Sequence, residues 1–231
     1  MIAAPPTIAV PPRLTTDAVA AVRHSLSQVA PGEIAVLRAP APGPFCAGLD
    51  FASAASMTAD ALRAGLRSYA DLLIELRGAP VATIAVVEGE TFGGGVGLAA
   101  ACDLVLATTD ARFGLPEALY GFHPAMVFAA LDARMPAQRS RLLALQCESI
   151  DAAAAEAMGL VDVVVTSANL ETSLASACRR LSRALPDGVA AIKRHAPHRE
   201  RFVAELSAAL EVTVAQLGRR EVRAGIESAE R

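Results

Sequence analysis

Three consecutive glycines stand between a run of β-branched residues and a run of alanines. The stretch reads EGETFGGGVGLAAACDLVLA and contains Gly93, Gly94 and Gly95. Glycines that end a strand and begin a helix leave backbone N–H groups at the positive helix terminus. Because glycine has no Cβ atom, an oxygen can also approach this backbone closely. The pattern therefore indicates a place for negative charge.

The charge at this place is either a phosphate or a developing oxyanion. The spacing GGGVG matches neither the dinucleotide fingerprint G-x-G-x-x-G nor a phosphate-binding loop with its Lys and Ser or Thr, which favours the oxyanion. The alternative interpretation is that the glycines only allow a helix to pack tightly on a strand.

A second loop offers a partner for the glycine turn. The segment PFCAGLDF follows a predicted strand and carries the small residues Ala47 and Gly48. Two backbone amides that converge on one carbonyl oxygen stabilise the enolate of a thioester. The two loops together predict an oxyanion hole.

The elements around these loops alternate between strand and helix. Short apolar runs predict strands at Ile34–Ala39, 81–89, 104–108 and Val161–Val165, and helical periodicity predicts helices at 15–30 and after Thr58, with Gly78 as C-cap. The apolar face of the second helix is formed by Leu62, Leu66, Tyr69, Leu73 and Leu76. From Pro136 onward the pattern is mainly helical, with helices predicted at Ala137–Gln146, Asp151–Met158, Leu170–Leu185 and about Arg199–Ser228. Such alternation is typical of an α/β fold with parallel strands.

Composition and charge exclude several classes of protein. The net charge of -3 and the pI near 5.8 are unlike those of a nucleic-acid-binding protein. The four cysteines are far apart, without companion histidines, so no metal site is expected and the thiols are read as reduced. No apolar stretch is long enough to cross a membrane, and the proline-rich start lacks the features of a signal peptide. We expect a cytoplasmic protein without a membrane or nucleic-acid partner.

Four segments in order resemble the crotonase (enoyl-CoA hydratase/isomerase) superfamily. FCAGLD is similar to its first oxyanion loop and GGGVGLAAACDLVLAT to its second, ARFGLPEALYGFHP to its acid/base segment, and AAAAEAMGLVDVVV to its closing helix and strand. The resemblance implies a spiral of ββα units over residues 1–165, a C-terminal helical region over 166–231, and a homotrimer or dimer of trimers. It also implies that the amides of Ala47 and Gly94 are the oxyanion donors.

The resemblance assigns the acid/base chemistry to one carboxyl. Hydratases of this family use two glutamates. The second of these matches Glu117 in the segment LPE, so the resemblance implies that Glu117 is the catalytic residue. The first matches Gly97, which has no side chain, so the pattern departs from that of a two-carboxylate hydratase. A carboxyl over an apolar pocket has a raised pKa and can exchange protons near neutral pH.

Other polar residues near the motifs have two interpretations each. His123 either lines the pocket or is a structural histidine, and the structural interpretation is favoured. Asp50 is expected to cap a turn rather than to touch substrate, and Tyr120 and Phe122 are assigned to packing. Lys193 and Arg194 belong to a basic cluster with His195, His198 and Arg199. That cluster is either a solvated helix face or, as the resemblance implies, a contact for the phosphates of CoA or for a phosphopantetheine arm.

Within the superfamily, the sequence is most similar to the dehydratases of polyketide β-branching cassettes. The resemblance implies dehydration of a 3-hydroxy-3-methylglutaryl thioester on an acyl carrier protein, with CoA or phosphopantetheine as the carrier of the substrate and no other cofactor. The alternatives are an acyl-CoA hydratase, isomerase or decarboxylase that uses the same hole, and a non-catalytic partner that binds acyl groups.

Overall fold

A five-stranded parallel sheet forms the centre of the molecule. The computed structural model describes residues 4–50, 57–194 and 199–229 of the chain. The strands are β1 (Thr7–Ala9), β2 (Ile34–Arg38), β3 (Ala82–Val87), β4 (Glu90–Phe92), β5 (Leu104–Thr108), β6 (Arg112–Gly114), β7 (Ser149–Asp151) and β8 (Val163–Val165). The large sheet has the order β1-β2-β3-β5-β8, and β4, β6 and β7 form a smaller sheet beside it.

Helices connect these strands and fill the C-terminal part of the described chain. They are α1 (Thr16–Ser27), α2 (Ala59–Gly78), α3 (Gly94–Ala101), α4 (Ala125–Asp132), α5 (Ala137–Gln146), α6 (Ala152–Met158), α7 (Leu170–Leu181), α8 (Pro186–Arg194), α9 (Arg199–Leu217) and α10 (Arg220–Ala229). Among the helices within these described ranges, none is both long and apolar enough to cross a membrane.

Both faces of the large sheet are covered, which explains why its central strands are apolar throughout. All six residues of β3 are buried, as expected for a parallel strand between two layers. Side chains alternate along it: Ala85 and Val87 join the large core formed with α1 to α4 and α9, whereas Ile84 and Val86 join a smaller cluster under α7. The described residues of α9 pack into the same core as the sheet.

Most predicted elements are confirmed, and the differences lie at their ends. Thr58 caps the start of α2, and the C-cap is Ala79, whose N–H donates to Glu75 O at 2.6 Å, and not the predicted Gly78. The helix predicted to end at Leu185 ends at Leu181. The last predicted helix is interrupted at Gly218, where α9 ends and α10 follows.

One strand boundary differs from the sequence-based expectation, and the short strands β4, β6 and β7 were not predicted. The last strand of the large sheet begins at Val163 and not at Val161, because the backbone N–H groups of Leu160 and Val161 donate to Ala155 O in α6. Strand β7 was not predicted, since its three residues contain a single apolar side chain, Ile150, and show no periodicity. Its pairing with β6 is what defines it.

Neither interpretation of Lys193 is correct, because its side chain is neither solvated nor free to contact a carrier phosphate. Its ammonium group is buried and donates to Leu76 O at 2.9 Å, Val81 O at 3.0 Å and Asp103 Oδ2 at 2.5 Å. These bonds use all three donors of the ammonium group. Lys193 therefore joins α8 to the C-terminus of α2 and to the start of β3. Arg194 is exposed, and His195 and His198 lie outside the described residues.

Because this lysine is an internal anchor, Lys193→Ala is expected to lower the free energy of unfolding by about 3 kcal/mol. The substitution leaves the Asp103 carboxylate and two buried carbonyl oxygens without their cation. The partial exposure of Asp103 limits the size of this loss. Urea denaturation followed by circular dichroism measures it. Arg194→Ala, in the same helix but exposed, is the matched control and should change stability by less than about 0.5 kcal/mol. Equal effects of the two variants would contradict the anchoring role.

Candidate active site

The turn between β4 and α3 needs its glycines for steric reasons. Gly93 has φ of 50°, a left-handed conformation that residues with a Cβ atom rarely adopt. A Cβ atom on Gly93 would lie 2.7 Å from Glu117 Oε1, and one on Gly95 would lie 2.3 Å from Cys46 O. The missing side chains therefore let two other parts of the chain approach the start of α3.

The first loop lies directly against this turn, as the sequence predicted. Phe45 N donates to Glu90 O at 2.8 Å and Phe92 N donates to Cys46 O at 2.9 Å. A Cβ atom on Gly48 would lie 2.8 Å from Gly94 N. The two loops are therefore in backbone contact, with Gly48 against the first residue of α3.

The two predicted oxyanion donors differ in their present partners. No described residue accepts a hydrogen bond from the Gly94 amide, which lies at the N-terminus of α3. The Ala47 amide, in contrast, donates to Pro12 O at 2.7 Å. Sequence reasoning missed this contact. For Ala47 to bind a substrate carbonyl, the carbonyl group of Pro12 must move away.

A small apolar cavity adjoins the first loop. It has a volume of about 50 Å³ and is lined in part by Leu14, Leu49, Met57, Leu62 and Leu66. This volume is enough for about one or two water molecules.

Glu117 is the buried carboxyl at this site. It begins a short 3₁₀ helix, Glu117–Tyr120, that follows β6, and it is 3% exposed. Its Oε1 faces Gly93, while Oε2 is buried and has no hydrogen-bond partner among the described residues. Burial raises the pKa of Glu117 from 4.5 to about 7. A hydrogen bond from its own backbone N–H favours the ionised form, but the loss of solvation outweighs it.

The place expected for a second carboxyl is filled by the side chain of Tyr69. A Cβ atom on Gly97 would lie 2.5 Å from Tyr69 Oη. That hydroxyl group donates to Gly94 O at 2.6 Å and is fully buried. The sequence placed Tyr69 on the apolar face of α2 but gave it no further role. The signal was its hydroxyl group, because a buried tyrosine needs a hydrogen-bond partner.

His123 does not share the burial of Glu117. It is exposed, and its ring meets Phe128 edge-on with a centroid distance of 4.6 Å. Partial burial lowers its pKa. His123 lies in the wall of a surface cavity that also includes Arg141 and Gln216. The structural role of His123 stays a prediction.

The remaining candidates have limited roles. Phe122 is buried and Tyr120 packs partly buried against the core, which confirms both packing assignments. The backbone N–H of Asp50 donates to Leu14 O at 3.3 Å.

Burial raises the pKa of Cys46 to about 11, so this thiol is neutral and is not a nucleophile near neutral pH. Within the described ranges, no three His, Cys, Asp or Glu side chains are grouped to hold a metal ion.

The burial of Glu117 predicts a pH-dependent stability. The pKa of Glu117 is about 7 in the folded state and 4.5 in the unfolded chain. Its contribution to the free energy of unfolding is therefore complete below the unfolded pKa and is lost as the pH rises through the folded pKa. Glu117→Gln removes this titration. Relative to the wild type, the variant should gain about 2–3 kcal/mol of unfolding free energy between about pH 5 and pH 8.

Urea denaturation of both proteins across this pH range measures the difference. The exposed Glu156→Gln variant controls for the removal of a carboxyl group from the chain. If the wild type and Glu117→Gln change in parallel with pH, the carboxyl group of Glu117 does not titrate in this range.

Comparison with known proteins gives the family of the chain. The sequence pattern of the family described as Enoyl-CoA hydratase/isomerase matches residues 9–230. The chain is 30% identical over 145 residues to a probable mitochondrial enoyl-CoA hydratase 2 of Arabidopsis thaliana, covering 62% of this chain and 48% of that protein. It is 32% identical over 124 residues to the bacillaene synthase dehydratase PksH of Bacillus subtilis, covering 54% and 47%. The chain thus spans about half the length of these relatives.

Solved structures have the same fold. A putative polyketide biosynthesis enoyl-CoA hydratase (PksH) of Bacillus subtilis aligns with a TM-score of 0.84 at 24% identity, over 95% of this chain and 88% of that one. A putative enoyl-CoA hydratase of Mycobacterium avium paratuberculosis aligns with a TM-score of 0.85 at 27% identity, over 97% and 89%. These likenesses confirm the predicted crotonase-like α/β fold. With the family pattern matching nearly the whole sequence, the chain belongs to the enoyl-CoA hydratase/isomerase family.

Proposed function

We propose that this chain eliminates water from a 3-hydroxyacyl thioester, and that the substrate is a 3-hydroxy-3-methylglutaryl group on an acyl carrier protein. The observation that carries the proposal is the carboxyl of Glu117, the one buried carboxyl among the described residues, with a free Oε2 and a pKa of about 7. A group with this pKa takes up and releases a proton with similar ease near neutral pH.

The reaction begins with the α-proton of the thioester. Glu117 in its ionised form removes this proton, and the electron pair of the C–H bond moves toward the thioester carbonyl to form an enolate. The Gly94 amide, at the positive end of α3, donates a hydrogen bond to the enolate oxygen, and the Ala47 amide supplies the second donor once Pro12 O has moved away.

The same carboxyl then completes the elimination. Protonated Glu117 gives its proton to the hydroxyl group on the β-carbon, the C–O bond breaks, and the enolate electrons form the C=C bond. The products are water, the unsaturated thioester and ionised Glu117, so the protein is regenerated. The conjugated alkene and the tertiary β-carbon of the proposed substrate both ease departure of the hydroxyl group, which makes one carboxyl sufficient.

Two relatives support this choice of chemistry. PksH of Bacillus subtilis is named as a dehydratase of bacillaene synthase. The human methylglutaconyl-CoA hydratase, 35% identical over 82 residues, covers 36% of this chain and 24% of that protein. Its name refers to the acyl group that dehydration of 3-hydroxy-3-methylglutaryl thioester yields. The second name supports the acyl group, and the first supports the direction of the reaction.

The carrier and the assembly are part of the proposal. With Lys193 buried, Arg194 is the exposed basic residue at the end of α8 and the candidate for contact with phosphopantetheine or CoA phosphates. Leu142 and Leu145 on α5, together with Leu119, are large exposed apolar side chains, which supports burial in a homotrimer or dimer of trimers.

A non-catalytic role is the second candidate. The observation that favours it is the Ala47 amide, which is bound to Pro12 O at 2.7 Å and leaves one predicted donor occupied. A protein fixed in this state would bind acyl groups without turning them over.

Glu117→Gln is expected to reduce kcat for water loss by about 10²–10⁴-fold. The amide keeps the size of the side chain but cannot carry a proton, so substrate binding should change little. Mass spectrometry follows loss of one water from a 3-hydroxy-3-methylglutaryl group, presented on carrier protein and on CoA. Glu156→Gln, which changes an exposed glutamate, is the control and should turn over like the wild type.

Each alternative has its own outcome in this assay. Water loss from CoA alone would favour an acyl-CoA enzyme over a carrier-protein enzyme. Undiminished water loss in Glu117→Gln would remove this residue from the mechanism. An inactive wild type with both carriers would reject the dehydratase and favour the non-catalytic role.

A further inference from the structure

Tyr69 and Gly97 form a complementary pair. The hydroxyl group of Tyr69 lies where a side chain at position 97 would begin, because the distance from Oη to a Cβ atom there is only 2.5 Å. Any larger residue at 97 therefore clashes with this hydroxyl group. Gly97 is consequently explained by the presence of Tyr69 and not only by the loss of a carboxyl.

The hydroxyl group also holds the oxyanion turn. It donates to Gly94 O at 2.6 Å, and this carbonyl belongs to the first residue of α3. The Gly94 amide belongs to the same residue, so a donor fixed in the core orients the turn from within. Burial, chiefly, raises the pKa of Tyr69 well above 10.0, which keeps the phenol protonated and able to donate.

We propose that Tyr69 is a positioning residue for the oxyanion turn, which it holds through Gly94 O from the space that a second carboxyl would otherwise occupy. The inference rests on the proposed thioester chemistry of the same site. A neutral hydroxyl group at this place adds no second charge beside Glu117. It also fills the space in which a side chain at position 97 could otherwise hold a water molecule. Tyr69 thereby sets the site for chemistry with one carboxyl.

Tyr69→Phe tests the positioning role. The ring and its packing remain, but Gly94 O loses its donor, so kcat should fall about tenfold while KM changes little. Tyr120→Phe is the matched control, because it removes the other tyrosine hydroxyl of the chain, and it should keep the kcat of the wild type. Equal kcat values for Tyr69→Phe and the wild type would overturn the proposal.

A double-mutant cycle separates positioning from packing. Gly97→Ala alone should lower the melting temperature by about 5 °C, because its Cβ atom clashes with the Tyr69 hydroxyl. In the Tyr69→Phe background the same change should restore or raise the melting temperature, since the clash is gone and alanine favours a helix. If kcat stays low in this stable double variant, the hydroxyl acts through Gly94. If kcat recovers together with stability, the role of Tyr69 is packing only and the proposal fails.

A spectroscopic measurement makes the inference independent of water loss. The probe is acetyl-pantetheine labelled with ¹³C at its thioester carbonyl, a fragment shared by CoA and carrier-protein substrates. Bound to the wild type, its carbonyl stretch should shift to lower frequency, and Tyr69→Phe should reduce this shift whereas Tyr120→Phe should not. A shifted carbonyl without any water loss would reject the proposed dehydratase but keep the role of Tyr69. No shift in the wild type, or equal shifts in both, would overturn the role of Tyr69.

Discussion

The site depends on a close approach of two backbones that only glycine permits. The first loop and the start of α3 are so near that a Cβ atom on Gly48 would lie 2.8 Å from Gly94 N, and one on Gly95 would lie 2.3 Å from Cys46 O. Both distances are well below any normal carbon contact, and both involve backbone atoms that cannot rotate away. The contact therefore fixes which residues are allowed in each loop, and it brings the two predicted amide donors together.

The same close packing determines the state of Glu117. Its Oε1 lies over Gly93, where a methyl group would be 2.7 Å away, and the side chain is almost completely buried. Burial disfavours the ionised carboxyl more than the hydrogen bond from its own backbone N–H favours it, so the pKa of Glu117 rises to about 7. A site that excludes water in order to strengthen its hydrogen bonds thus also shifts its one carboxyl into the range useful for proton transfer.

Local sequence patterns were enough to predict the main parts of the site. The glycine turn, the small-residue loop and Glu117 were found because their residue types and order are specific, and α2 was found because its apolar residues have helical spacing. The sequence could not assign Lys193, since charge alone suggests a solvated residue. The three partners of its ammonium group lie at the end of α2, just before β3 and just before β5, and only the tertiary structure brings them together.

Two further contacts at the site were beyond prediction for the same reason. Tyr69 and Gly94 are distant in sequence, and nothing in either segment indicates their hydrogen bond. The bond from the Ala47 amide to Pro12 O likewise joins the N-terminal segment to a loop many residues later. Motifs identify which residues can act, whereas the hydrogen-bond partner of each group decides whether it is free, held or occupied.

A single carboxyl also restricts the geometry of the proposed elimination. The atom that takes the α-proton must be able to reach the β-hydroxyl oxygen, so both groups must lie on the same face of the substrate, toward Glu117. The free Oε2 and the Oε1 over Gly93 belong to one planar group whose oxygens are close together, which suits two transfers on one face. Elimination with the two groups on opposite faces would need a second acid. In the described structure the place of a second carboxyl holds Tyr69, whose proton is already donated to Gly94 O. The proposed reaction is therefore a syn elimination, and this depends on the pair formed by Tyr69 and Gly97 as much as on Glu117 itself.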